Sequence, residues 1–121
     1  MAAQAGEVVI YHNPKCSTSR KVLGMLQDAG ATPRVIEYLK TPPTRAELET
    51  LLKRMGIMPR ELLRRRGTPF DELHLDDPAK TDATLIDAIL AHPILMERPV
   101  VVTAKGAAIC RPPERVHDLL G

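Results

Sequence analysis

Cys16 stands in the run Tyr11-His12-Asn13-Pro14-Lys15-Cys16-Ser17-Thr18-Ser19-Arg20, behind the apolar triplet Val8-Val9-Ile10 and ahead of Val22, Leu23, Met25 and Leu26 at helical spacing. That order reads strand, turn, helix, with the cysteine where the helix begins. The first N–H groups of a helix lack intrahelical acceptors and lie at the positive end of the macrodipole, so a sulfur placed there is favoured as thiolate. Ser17, Thr18 and Ser19 add hydroxyls, Lys15 and Arg20 add positive charge, and Pro14 stiffens the approach. A free cysteine is often a small interior hydrophobe. A packing residue gains nothing from this polar, cationic company, so Cys16 reads as a nucleophile.

Spacing then limits what the sulfur does. A dithiol site needs Cys-x-x-Cys, and Ser19 holds the second place. A cysteine phosphatase loop needs arginine six residues after the cysteine, and Val22 is there. The only other cysteine is Cys110, set in a short apolar strand where packing is the simpler role. His12, His74, His92 and His117 form no metal-ligand spacing with the cysteines, so no metal site is expected. His12 lies close enough to Cys16 in sequence to hydrogen bond near it, although a lone histidine is more often an ordinary loop residue. The acidic residues Asp71, Glu72, Asp76 and Asp77 read as solvated loop.

Three arginines are candidates for binding an anion. Arg64 belongs to the run Arg64-Arg65-Arg66, Arg98 precedes Pro99 at the start of one strand, and Arg111 precedes Pro112 at the end of the next. Each alone is more simply read as a solvated surface charge. Arg98 and Arg111, however, flank a hairpin whose ends lie side by side, and a pair of like charges there is favourable only with an anion between them. The guanidinium fork suits an oxyanion.

The elements that must hold these groups follow from periodicity and breakers. Residues 7–11 read as a first strand, the helix after Cys16 runs to about Ala29 with Gly30 as its stop, and 34–38 read as a second strand. If they share a sheet, these strands of a β-α-β unit are parallel. Pro42-Pro43 breaks the chain, and Thr44-Arg45-Ala46-Glu47 has the form of a capping box before Leu48, Leu51, Leu52 and Met55. A short helix is expected over 60–65, loops at 67–69 and 76–78, and a further helix from Thr81 or Asp82 with Leu85, Ile86, Ile89 and Leu90 inward. Residues 99–103 and 107–111 read as a hairpin around Ala104-Lys105-Gly106, and Pro112-Pro113 opens a last short helix ending at Leu120. With the central helices set aside, this is the order of an α/β, thioredoxin-like core. The helical insertion of about 41–93 lies between the β-α-β unit and the β-hairpin, and the whole 1–121 reads as a single domain. In such folds a proline at the place of Pro99 is commonly cis and faces the active cysteine, whereas base rates favour trans.

Composition narrows the classes. The 121 residues are 44% hydrophobic and 26% charged, ordinary for a globular chain that buries its own core. A net charge of +2 and only three aromatic residues (Tyr11, Tyr38 and Phe70) argue against nucleic acid as a main partner. No apolar run approaches the roughly 20 residues that span a bilayer. Residues 1–6 lack the pattern of a signal peptide. Sparse cysteines agree with a reducing cytoplasm.

Taken together, several strings resemble the glutaredoxin-coupled ArsC arsenate reductases. They are Tyr-His-Asn-Pro-Lys-Cys-Ser-Thr-Ser-Arg at 11–20, Tyr-Leu-Lys-Thr-Pro-Pro-Thr at 38–44 and Glu-Leu-Leu-Arg at 61–64. To these are added His-Pro-Ile-Leu-Met-Glu-Arg-Pro-Val-Val-Val at 92–102 and Ile-Cys-Arg-Pro-Pro-Glu at 109–114. The similarity runs from about Val8 to Leu120. The resemblance implies a thioredoxin-like fold, Cys16 as nucleophile, and Arg64, Arg98 and Arg111 as the ligands of an arsenic oxyanion. It also implies His12 as the histidine near the cysteine and Ser19 as a hydroxyl residue that helps lower the thiol pKa. The activity implied is reduction of arsenate to arsenite, with no bound cofactor, glutathione as reducing co-substrate and glutaredoxin as partner. Family members often carry a longer, charged C-terminal tail. None of the three arginines lies in it, so activity is expected without it. Two other readings stay open: a monothiol oxidoreductase acting on glutathione mixed disulfides, and a non-catalytic regulator resembling the Spx proteins. That second class often carries the Cys-x-x-Cys switch that this chain lacks.

Overall fold

A computed structural model describes residues 7–120 of the chain; residues 1–6, where no signal peptide was expected, lie outside them. Four strands form one sheet in the order β2-β1-β3-β4, with β1 Val9–His12, β2 Arg34–Glu37, β3 Val100–Thr103 and β4 Gly106–Ile109. β1 and β2 are parallel, while β3 runs antiparallel to both β1 and β4. Helix α1 (Ser17–Asp28) makes the β1–β2 crossover, and α2 (Arg45–Met55), α3 (Pro59–Leu62) and α4 (Asp82–Ala91) lie between β2 and β3. This is the expected thioredoxin-like core with helices inserted ahead of the hairpin.

Strand alternation divides the interior into two layers. Val9 and Tyr11 of β1, with Val100 and Val102 of β3, join Leu48, Leu51 and Leu52 of α2, Leu62 of α3, and Leu85, Ile86 and Ile89 of α4. Ile10 and Val101 point the other way, onto Val22 and Leu26 of α1 together with Cys110, Val116 and Leu119. Each fully buried Val, Leu or Ile contributes about 1.5–3 kcal/mol. The two layers thus clamp β1 and β3 from both faces and fix the ends of those strands, where Cys16 and Arg98 follow and precede them.

The local signals explain the element ends. The Thr44 hydroxyl accepts from the Glu47 N–H at 3.2 Å and the Glu47 carboxylate accepts from the Thr44 N–H at 2.9 Å, completing the capping box. Gly56 ends α2 at φ 68°, a left-handed conformation that favours glycine. The Arg98-Pro99 peptide is cis, as is Arg111-Pro112.

Three expectations need correction. The short insertion helix covers Pro59–Leu62 rather than 60–65. It stops because Leu63 pairs with Met96 in an isolated antiparallel bridge, with Arg64 N–H donating to Leu95 O and Glu97 N–H to Leu62 O, both at 2.7 Å. The final helix is a 3-10 segment, Pro113–Leu119. Gly106 opens β4 instead of belonging to the turn, and Arg111 lies beyond the strand, with Cys110 N–H donating to Pro99 O at 2.9 Å to continue the pairing locally.

Candidate active site

Cys16 is the N-cap residue of α1, with φ −95° and ψ 120°. The turn that delivers it is organised by Asn13, which is buried. The Asn13 carbonyl accepts the Cys16 N–H at 3.0 Å and its side-chain oxygen accepts the Lys15 N–H, also at 3.0 Å. The Arg20 guanidinium donates to Pro14 O at 2.8 Å, tying the first turn of α1 back onto the loop. Asn13 was not singled out in the sequence; an asparagine two residues before a turn N–H is the signal that could have found it.

His12 and Ser19 lie beneath this loop, both buried. Ser19 Oγ accepts the Asn13 N–H at 3.1 Å and lies 2.6 Å from His12 Nδ1. The hydroxyl is therefore engaged with the loop rather than with the sulfur, while the Ser19 backbone N–H is the group that faces Cys16. Burial pushes the His12 pKa below its ordinary value; Glu37 opposes this and Arg20 adds to it. A neutral imidazole accepting the Ser19 hydroxyl proton at Nδ1 fits that shift.

The Cys16 thiol is held below its ordinary pKa. Burial raises it, but the backbone N–H groups of Ser19 and Thr18 and the Arg111 guanidinium outweigh that. Arg111 Nη1 donates toward Cys16 Sγ at 3.8 Å and to Arg98 O at 3.2 Å, so one guanidinium joins the sulfur to the cis-proline segment.

Arg64, Arg98 and Arg111 line one cavity of about 520 Å³ together with Cys16, Asn13 and Lys15. Arg98 is only 7% exposed. Its Nη1 donates to Ile94 O and Met96 O, both at 3.2 Å, and its buried Nε has no acceptor among the described residues. Arg64 comes from the segment after α3; its Nε donates to Arg66 O at 3.1 Å, and the Thr68 hydroxyl donates to Arg64 O at 2.7 Å. Ser17, Leu39, Arg66 and Ile94 complete the wall, and the last three were not anticipated there. Neither was Glu97, whose Oε1 accepts from Arg64 Nη1 at 3.0 Å and lies 4.0 Å from Arg111 Nε. All six anticipated site residues thus lie in or directly under one pocket, whereas Cys110 sits in the core on the α1 side of the sheet. Among the described residues, no group of three or more His, Cys, Asp or Glu is placed to hold a metal ion. Nor is any helix among them long and apolar enough to cross a membrane.

Chemically, the pocket pairs a lowered-pKa thiol with a cationic wall able to hold a small oxyanion beside it. Known proteins match over almost the whole chain. The family model of the ArsC family matches residues 11–119. The arsenate reductase of Rhizobium meliloti (strain 1021) is 53% identical over 113 residues, which span 93% of this chain and 81% of that protein. The arsenate reductase of Escherichia coli (strain K12) is 50% identical over 113 residues, spanning 93% and 80%. The solved structure of an arsenate reductase from Vibrio cholerae superposes with a TM-score of 0.91 at 43% identity, covering 97% of this chain and 100% of that one. With the match running through the Cys16 loop and all three pocket arginines, the chain belongs to the ArsC family.

Proposed function

We propose that this protein is an oxidoreductase that reduces arsenate to arsenite, with Cys16 as nucleophile and Arg64, Arg98 and Arg111 as the oxyanion ligands. The observation that carries this reading is the Arg111 guanidinium, 3.8 Å from the Cys16 sulfur on a cavity wall shared with the other two arginines. Arsenate and a thiolate are both negative and repel. Guanidinium groups that line the cavity offset that repulsion and stabilise the charge that develops during attack. Arg98 supplies its positive charge from a fixed position in that wall, its Nη1 anchored to Ile94 O and Met96 O.

Attack by Cys16 forms an arsenic–sulfur bond as an arsenic–oxygen bond breaks, the oxygen leaving as water after protonation. Reduction needs a second thiol. Cys110 is buried across the sheet with its pKa pushed up to about 11 by burial, so the second sulfur comes from outside the chain. Glutathione attacks, the sulfurs leave as a disulfide carrying two electrons fewer, and arsenic departs as arsenite. Glutaredoxin resolves the sulfur–sulfur species. A reducing cytoplasm supplies both. A monothiol reductase of mixed disulfides would need the low-pKa sulfur but not three arginines on one wall, and the arrangement favours the oxyanion reading for that reason.

The test is an arsenate assay with glutathione and glutaredoxin added together and singly. Wild-type protein reduces arsenate only with the thiol donor present, and Arg98→Ala weakens arsenate capture. Reduction at the wild-type rate by Cys16→Ser would falsify the proposal.

A further inference from the structure

Glu97 is the shared partner of the three pocket arginines. Its Oε1 accepts from Arg64 Nη1 at 3.0 Å, accepts the backbone N–H of Arg98 at 3.3 Å, and lies 4.0 Å from Arg111 Nε. Its side chain is 22% exposed and that of Arg64 19%. The cavity is lined by the arginines and not by the carboxylate, which sits behind them. Two backbone hydrogen bonds across the Leu63–Met96 bridge bring Glu97 to this place, one from Glu97 N–H to Leu62 O and one from Arg64 N–H to Leu95 O.

Two opposite consequences follow from a carboxylate behind a cationic wall. Its charge weakens the field that attracts an anion. Its hydrogen bonds hold the long, flexible Arg64 side chain in one orientation and ease the mutual repulsion of guanidiniums that face a common space. The geometry decides between them. Arg64 reaches the pocket from irregular backbone after α3, and its other side-chain bond goes to the carbonyl of Arg66, only two residues away. Glu97 is the tie from Arg64 to the segment that carries Arg98, and without it the guanidinium is free to swing to solvent.

We infer that Glu97 is a positioning residue that holds Arg64 against the oxyanion pocket, so that losing its acceptor oxygen weakens oxyanion binding although it makes the pocket more positive. This rests on the oxyanion reading of the pocket, but it does not need arsenate to be reduced.

The test is a double-mutant cycle on the binding of inorganic phosphate, a tetrahedral oxyanion that thiols do not reduce, measured by calorimetry at fixed ionic strength. Glu97→Ala weakens phosphate binding about tenfold, between the effects of removing an exposed and a buried ion-pair partner. Glu97→Gln, which keeps an acceptor oxygen and loses the charge, stays within about threefold of wild type, consistent with a neutral hydrogen bond in place of a charged one. In an Arg64→Ala background, Glu97→Ala brings no further loss of phosphate binding, because the positioning acts through Arg64 and only the opposing effect of its charge is left. In the arsenate assay, Glu97→Ala raises KM and lowers kcat by less than Arg64→Ala does, since Arg64 is displaced and not removed. The inference is overturned if Glu97→Ala binds phosphate as tightly as wild type or more tightly, if the same loss persists without Arg64, or if Glu97→Gln is as weak as Glu97→Ala. Wild-type protein that binds phosphate but reduces no arsenate would instead count against the arsenate reading and leave this cycle intact.

Discussion

The two cysteines of this chain carry the same side chain into opposite environments. Cys16 caps α1, with helix N–H groups and a guanidinium around its sulfur, and its pKa is lowered. Cys110 follows β4, is fully buried among Ile10, Val22, Leu26, Val101, Val116 and Leu119, and its pKa is pushed up to about 11 by burial. Desolvation raises both thiols; only at Cys16 do donors outweigh it. Reactivity is therefore set by which donors, backbone N–H groups and the Arg111 guanidinium, stand around the sulfur. One residue further on, Arg111 turns to the other environment and reaches Cys16, so the end of the hairpin supplies the packing of one cysteine and part of the activation of the other.

The comparison is broken most severely by Cys16→Ser. Arsenate turnover is abolished, while phosphate binding stays detectable by calorimetry because the arginine wall is intact. Arg111→Ala is next. It removes a proposed anion ligand together with a donor to the sulfur, so kcat/KM for arsenate falls by about 10²–10³, as for loss of one oxyanion-hole donor. The pH dependence of iodoacetamide alkylation at Cys16 then moves to higher pH. Ser19→Ala keeps the backbone N–H that faces Cys16 but cuts the link from His12 to the Asn13 N–H. A fall of about tenfold in kcat/KM, corresponding to one lost hydrogen bond at the barrier, is the expected result.

Cys110→Ala has the smallest effect on activity, leaving arsenate turnover near wild type while lowering stability by about 1 kcal/mol in a urea titration. It also isolates the opposite signs of the two sulfurs. The folded pKa of Cys110 is raised, so its contribution to stability is full below the unfolded value of 9.0 and is lost as pH rises toward about 11. The folded pKa of Cys16 is lowered, so its contribution is present above the unfolded value and is lost as pH falls through the folded one. Between pH 9 and about 11, stability of the wild type therefore falls more steeply than that of Cys110→Ala; equal slopes in that window would remove the assigned burial of this thiol.

How much of this was legible varies element by element. The N-terminal unit was plain because its signals are local: an apolar triplet, a helical period after Cys16, and Gly30 as stop. Residues Thr44 and Glu47 announced α2 for the same reason, since a capping box closes within four residues. The segment 60–65 misled because Leu62 to Arg64 has good helical propensity, yet its backbone is drawn into pairing with 95–97. That competition is between distant segments and leaves no trace in either one. Glu97 and Asn13 were passed over similarly. A lone carboxylate or amide has no pattern, and the importance of each comes from which donors stand around it.

By itself the sequence determined that one cysteine opens a helix after a strand, that the other lies in apolar company, and that two arginines flank a hairpin. Those are consequences of hydrogen bonding and side-chain alternation over a few residues. The tertiary structure decided that Arg64 joins Arg98 and Arg111 around Cys16, and that Glu97 stands behind them. The physical reason is that this convergence depends on the strand order β2-β1-β3-β4 and on backbone bonds between segments about thirty residues apart. Such long-range pairing is selected by the packing of the whole core and not by either segment alone.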